Sequence, residues 1–141
     1  MNEQADQLIF FMIAGEIFAI DLKDIAEIIP PQPLFPIPWT PPVFKGAINF
    51  HGRLVAILDL AEFMNIGQTG IGGEIIVLNL KLANLGFCTD QVMNIEFSDN
   101  HLEDNKSNSR FIDRLILLDE GEAGKLALPQ IIAIAGESLL R

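Results

Sequence analysis

Residues 8–21 read LIFFMIAGEIFAID, from Leu8 to Asp21, and the fold follows from how this stretch is read. Leu8 to Ile13 is an unbroken apolar run, which marks a buried strand. Gly15-Glu16 supplies a tight turn, and Ile17 to Asp21 returns as a second strand, so the stretch is a β-hairpin. Beyond it, Leu22, Ile25, Ile28 and Ile29 fall at helix-like spacing after Asp21, a reasonable N-cap. One or two helical turns are expected there.

Working outward, Val43 to Asn49 is a further extended stretch. His51-Gly52 reads as a turn, Leu54 to Leu60 as a buried strand, and Ala61 to Ile66 as a single helical turn. After the glycine-rich stretch 67–73 the pattern restarts. Ile75 to Leu80 is a dense apolar strand, Leu85-Gly86 carries a turn glycine, and Phe87 to Asp90 returns. Val92 and Ile95 follow Asp90 much as Ile25 and Ile28 follow Asp21. Residues 99–110 are polar and loop-like. Phe111 to Leu118 is a strand, residues 120–124 a turn, Lys125 to Leu128 another strand, and Ile131 to Leu140 a terminal helix.

The offsets describe an internal repeat. Asp21 to Asp90 is 69 residues, Phe10 to Val77 and Phe44 to Phe111 are 67, and Leu58 to Leu128 is 70. Two copies of one unit, roughly 8–66 and 74–131, are therefore expected within a single domain spanning 1–141. Each copy offers a hairpin, a short helical turn and two more strands. Such a unit closes most easily as a small β-barrel, which removes open sheet edges. The fold class is all-β.

Composition narrows the function classes. Half of the 141 residues are hydrophobic, enough to build a core. Lys plus Arg number 9 against 19 Asp plus Glu, a net charge of −10 that repels phosphate backbones and anionic membrane surfaces, so no nucleic acid is expected as a partner. The single cysteine, Cys88, cannot form an internal disulfide and suits a reducing cytoplasm. The opening MNEQADQ is acidic and polar, unlike a secretory leader, and no apolar run approaches the ~20 residues of a membrane-spanning helix. No membrane insertion is expected.

Residues 30–42, PPQPLFPIPWTPP, hold seven of the eight prolines. Fixed φ and missing N–H groups make this segment extended and bar it from a central strand. It reads either as a polyproline ligand for an SH3-type partner or as a stiff crossover anchored by Leu34, Phe35, Ile37 and Trp39. The crossover is favoured, because exposed ligands seldom interleave four large apolar residues.

No constellation carries catalysis. His51 and His101 sit in turns without a second ligand beside them, so no metal site is expected. Cys88 lies on a buried strand with no local base and reads as an inert thiol. Asp21 and Asp59 follow apolar strands; an acid–base pair is the sharper reading and turn capping the better one. The glycine-rich stretch lacks the lysine of a phosphate-binding loop and reads as a flexible connector. No cofactor is implied.

The ordered series FFMIAGEIFAIDLKDIAEII, IPWTPPVFKGAINFHGRLVAILDL and LGFCTDQVMNI resembles the CheW family of chemotaxis coupling proteins. That family reads as apolar strand, glycine turn, Tyr/Phe-Ala-Ile-Asp and Val-x-Glu-Ile. A Val-Pro-x-x-Pro segment, Gly-x-Ile-Asn-Leu-Arg-Gly and a strand ending Asp-Leu follow. The resemblance runs from Leu8 to about Ile95 and more loosely beyond. It implies two loose five-stranded, SH3-like β-barrels, no catalysis, and a cytoplasmic adaptor with two protein partners. These are the helical cytoplasmic tip of a chemoreceptor (a methyl-accepting chemotaxis protein) and the regulatory domain of a CheA-type histidine kinase. Carried over by motif position, the receptor surface takes Ile25, Glu27, Lys45, Gly46, Asn49 and His51, and the kinase surface takes Ile28.

Two departures stand out. The family's Asn-Leu-Arg-Gly arginine is His51 here. That arginine would pair with the glutamate of Val-x-Glu-Ile, so Glu27 and His51 are expected close together, facing the receptor groove; otherwise His51 serves only its turn. Near the end, Leu126-Ala127-Leu128-Pro129 replaces the family's Leu-Leu-Asp-Leu. A paralogue serving a pathway other than swimming is one alternative. A barrel that senses an apolar small molecule in an enclosed pocket is another.

Overall fold

The computed structural model describes residues 6–70, 72–97, 102–104 and 109–139. The expectations for His101 and for most of the polar loop over 99–110 lie outside these residues. In chain order the elements are β1 (Gln7–Ile13), β2 (Glu16–Asp21), a short 3-10 turn (Leu22–Asp24) and β3 (Ile25–Ile29). Then come β4 (Phe44–Phe50), β5 (Arg53–Leu58), α1 (Leu60–Phe63), β6 (Ile75–Leu78), β7 (Leu85–Cys88) and β8 (Gln91–Phe97). The chain ends with β9 (Leu102–Asp104), β10 (Ile112–Leu118), β11 (Gly121–Leu126) and α2 (Leu128–Leu139).

The strands form a six-stranded sheet, β8-β1-β2-β11-β10-β9, and a five-stranded sheet, β3-β6-β7-β5-β4. The hairpin expected from residues 8–21 is β1–β2, with Ile13 opposite Glu16 and Ala14-Gly15 as its two-residue turn. Both turn residues have positive φ (53° and 80°), as the hairpin turn that matches strand twist requires. The apolar run is dense because both faces of β1 are covered. Leu8 and Phe10 enter a core with Ala19, Ile116 and Ala123. Ile9, Phe11 and Ile13 enter a larger core between the sheets, shared with Ile76, Leu78 and Phe87. β6 repeats this division: Ile75 and Val77 face the inside of their own sheet with Ile48, Val55 and Ile57.

The repeat is visible in the pairing. Phe10↔Ala19 has its counterpart in Val77↔Gly86, shifted by 67 in each strand (77 − 10 and 86 − 19). The expected units do not each close on themselves, however. β2 has both edges occupied, by β1 and in parallel by β11, so the chain passes through Leu22–Asp24 into the other sheet. β7 is likewise flanked by β6 and β5, and β8 returns to the first sheet. Each sheet thus combines the hairpin of one repeat with the later strands of the other.

Several local expectations are corrected. The helical turn after Asp21 stops at Asp24, and Ile25–Ile29 is a strand. The glycines of residues 120–124 do not form a turn. β10 and β11 meet with Leu118 opposite Gly121, and a Cβ on Gly124 would come within 2.9 Å of Ile112 Cδ1, so that glycine permits close packing inside a strand. The proline-rich crossover rests on Leu34, while Phe35 and Trp39 are 59% and 96% exposed rather than anchored.

Candidate partner-docking surface

β3 is an edge strand carrying a bulge. Ile25 lies opposite Leu78 and Glu27 opposite Val77, so Ala26 is the extra residue. The bulge leaves Ile25 and Ile28 both packed against the core between the sheets, while Glu27 stays exposed at the rim. At the other edge of the same sheet, β4 and β5 join through His51-Gly52, again a two-residue turn with positive φ (50° and 87°). Asn49 Oδ1 accepts the Gly52 N–H at 3.1 Å and fixes this turn.

The turn holds His51 where its Nε2 lies 3.1 Å from Glu27 Oε1. The two edges of the sheet therefore meet, and the sheet curls into a barrel around its own core. The His51 ring stands edge-on to Phe50, with centroids 4.4 Å apart. Arg53 lies over the Phe50 ring and donates from Nε to Asn84 Oδ1 at 2.9 Å. Asn84 in turn donates to the Leu54 carbonyl at 2.7 Å. Leu54, Leu80 and Leu82 are exposed nearby in the chain. Sequence reasoning missed Arg53, Asn84 and these leucines; the one available signal was a leucine and an arginine directly after the His51-Gly52 turn.

Lys45 and Gly46 do not join this cluster. Lys45 turns inward, its Nζ 3.4 Å from Asp59 Oδ2. Gly46 is buried beneath the proline-rich segment: a Cβ there would lie 2.6 Å from the Phe35 carbonyl oxygen. Main-chain hydrogen bonds of 2.8 Å in both directions between Phe35 and Ala47 require this approach.

The two aspartates singled out in the sequence stand apart and hold the frame. Asp21 pairs with Lys125 at 3.1 Å, with no side-chain capping bond to the turn it precedes. Asp59 caps α1 by accepting the Glu62 N–H at 3.2 Å, and it accepts the Thr69 hydroxyl at 2.7 Å. Burial pushes the Asp59 carboxyl up. The hydrogen bonds from Thr69 and Glu62 and the Lys45 ammonium outweigh burial and hold it below its ordinary value. Asp90, the counterpart of Asp21, accepts the Ala14 N–H at 2.7 Å and the Gly70 N–H at 2.6 Å. The glycine-rich connector is thus tied to Asp59 and Asp90 rather than swinging free. Burial pushes the Cys88 thiol up to about 11. Among the described residues no group of three or more His, Cys, Asp or Glu is placed to hold a metal ion, and no helix is long and apolar enough to cross a membrane.

Two curled sheets with exchanged hairpins, one of them closed by the His51–Glu27 contact, are the architecture of a CheW-like domain. The family model of the CheW-like domain matches residues 7–135, and the chain belongs to that family. It is similar to a chemotaxis protein CheW of Treponema pallidum, with 26% identity over 67% of this chain and 59% of that protein. It is also similar to a chemotaxis protein CheW of Thermotoga maritima, with 25% identity over 74% of this chain and 71% of the relative. The match thus spans somewhat under two thirds of the Treponema protein's length. Among solved structures, the scaffolding protein TtCheW from Thermoanaerobacter tengcongensis shares the fold, with a TM-score of 0.82, 20% identity, and coverage of 99% of this chain and 95% of that one.

Proposed function

We propose that this protein is a non-catalytic cytoplasmic adaptor that couples the cytoplasmic tip of a chemoreceptor to the regulatory domain of a CheA-type histidine kinase. The observation that carries this reading is the CheW-like match across both sheets, from residue 7 to residue 135. The receptor helix docks beside the Glu27–His51 contact, with Ile25 supplying apolar surface and Asn49 holding the turn. Ile28, beyond the bulge, contributes to the kinase side. Lys45 and Gly46 act indirectly, by setting the position of β4. Sensing of a small apolar molecule is the weaker reading, because each sheet fills its interior with its own side chains. Size-exclusion chromatography of the protein with a receptor fragment and the kinase regulatory domain tests the proposal. Co-elution of all three is expected; elution of the protein as a separate peak would overturn it.

A further inference from the structure

The segment between β3 and β4 carries a pattern that the adaptor reading does not use. Prolines at 30, 31, 33, 36 and 38 fix φ, and each restricts the residue before it to extended geometry. Between Ile29 and Pro38 only Leu34 escapes both constraints. The backbone is therefore driven toward the left-handed polyproline helix, with three residues per turn. The burial pattern shows this period up to the turn at Pro38-Trp39: Leu34 and Ile37 are half-buried, three residues apart. Pro30, Pro33 and Pro36 form an exposed row, and Gln32, Phe35 and Pro38 a second one. One face is mounted on the barrel, with Leu34 packed against its core, and two faces meet solvent.

The segment ends on Trp39, which is 96% exposed with φ of 65°. That backbone region is unfavourable for a large side chain, and here no burial of the ring offsets it. A turn at Pro38-Trp39, closed by the Thr40 hydroxyl donating to the Ile37 carbonyl at 2.9 Å, holds the ring out in solvent. Residues 30–42 also contain no charged residue, in a protein carrying 28 of them and a net charge of −10. A partner suited to this surface is uncharged and aromatic, because stacked rings and proline edges are what the segment offers. Mounting on the barrel removes most of the ordering cost of binding.

We propose that residues 30–42 are a pre-formed polyproline ligand, presenting Pro30, Pro33, Pro36 and Trp39 to a partner domain with an uncharged, aromatic-lined, proline-reading groove. The proposal is independent of the adaptor reading and survives its failure. The test titrates the isotope-labelled full chain with purified SH3, WW and EVH1 domains in turn, following amide and Trp39 indole signals by NMR. At least one domain is expected to give saturable shifts confined to residues 30–42 and their immediate neighbours. Trp39→Ala and the double variant Pro33→Ala/Pro36→Ala are each expected to weaken that binding at least fivefold. Trp39→Ala removes an exposed ring and keeps the test valid if the proline variant is unstable. Absence of saturable shifts with all three domains, shifts centred elsewhere, or unchanged binding by Trp39→Ala would overturn the proposal.

Discussion

Glu27 and His51 belong to opposite edges of one five-stranded sheet, and their side chains meet at 3.1 Å. Glu27 is on the bulged edge strand β3; His51 is in the turn that leaves β4, the other edge. The contact is the clasp of that barrel. At the position corresponding to Glu27 in the other sheet stands Asn94 (94 − 27 is again 67), whose side-chain amide bonds Glu96 instead.

The clasp is exposed, 71% for the His51 side chain and 48% for Glu27, so its contribution to stability is small. A double-mutant cycle on Glu27→Ala and His51→Ala is expected to give a coupling energy of about 0.2–1 kcal/mol in urea unfolding. The functional effect is expected to be larger: Glu27→Arg should weaken receptor binding at least tenfold while leaving the fold intact by circular dichroism. Wild-type receptor affinity in that variant would remove the clasp from the docking surface.

Asp59 sets an acid limit on stability. Its folded pKa lies below the ordinary carboxylate value, so its stabilising contribution is fully present above that value. The contribution fades as pH falls through the depressed folded value. Asp59→Ala removes the cap of α1 and the acceptor for Thr69, with an expected cost of about 1–3 kcal/mol near pH 7. Thr69→Val should flatten the acid limb of the stability curve, and an unchanged limb would contradict this assignment. Asp24 has the opposite sign. Burial, then the Asp21 charge, raise its carboxyl, so its contribution is present at low pH and lost as pH rises through the folded value.

Gly46 is the tightest backbone approach on β4. Its φ is 147°, and an added Cβ would stand 2.6 Å from the Phe35 carbonyl oxygen, which leaves no room for alanine. Gly46→Ala is expected to cost about 1–3 kcal/mol and to loosen the proline-rich segment. Faster hydrogen exchange at the Phe35 and Ala47 amides would report it directly; unaltered exchange would contradict the geometry.

Cys88 is expected to behave as a core thiol. With its pKa pushed up to about 11, almost no thiolate is present at pH 8. Labelling by an aromatic disulfide reagent should be slow in buffer and complete within minutes in denaturant. Fast labelling of the folded protein would show an accessible, activated thiol.

The hairpins were legible because β1 and β6 are buried on both faces, which makes each a dense apolar run followed by a turn and a return strand. The stretch after Asp21 misled for a physical reason. The bulge at Ala26 turns the two-residue period of a strand into a three-residue step, so Ile25 and Ile28 share a face as they would on a helix. Met93 does the same in β8, between Val92 and Asn94. The exchange of hairpins between sheets left no local trace, because it is made by pairs between strands that are not neighbours in sequence, β1–β8 and β2–β11 in one sheet and β3–β6 and β5–β7 in the other. Nor did composition or spacing single out the meeting of Glu27 and His51: that expectation came from the family motif, and its physical basis is the curl of the sheet.

The adaptor claim is tested most directly by kinase autophosphorylation in receptor-containing membranes, measured with and without this protein. With it present, kinase activity is expected to become receptor-dependent and to respond to the receptor's ligand, and Glu27→Arg should abolish that response. Kinase activity that is the same with and without the protein, under receptor and kinase concentrations that support coupling by another member of the family, would contradict the account.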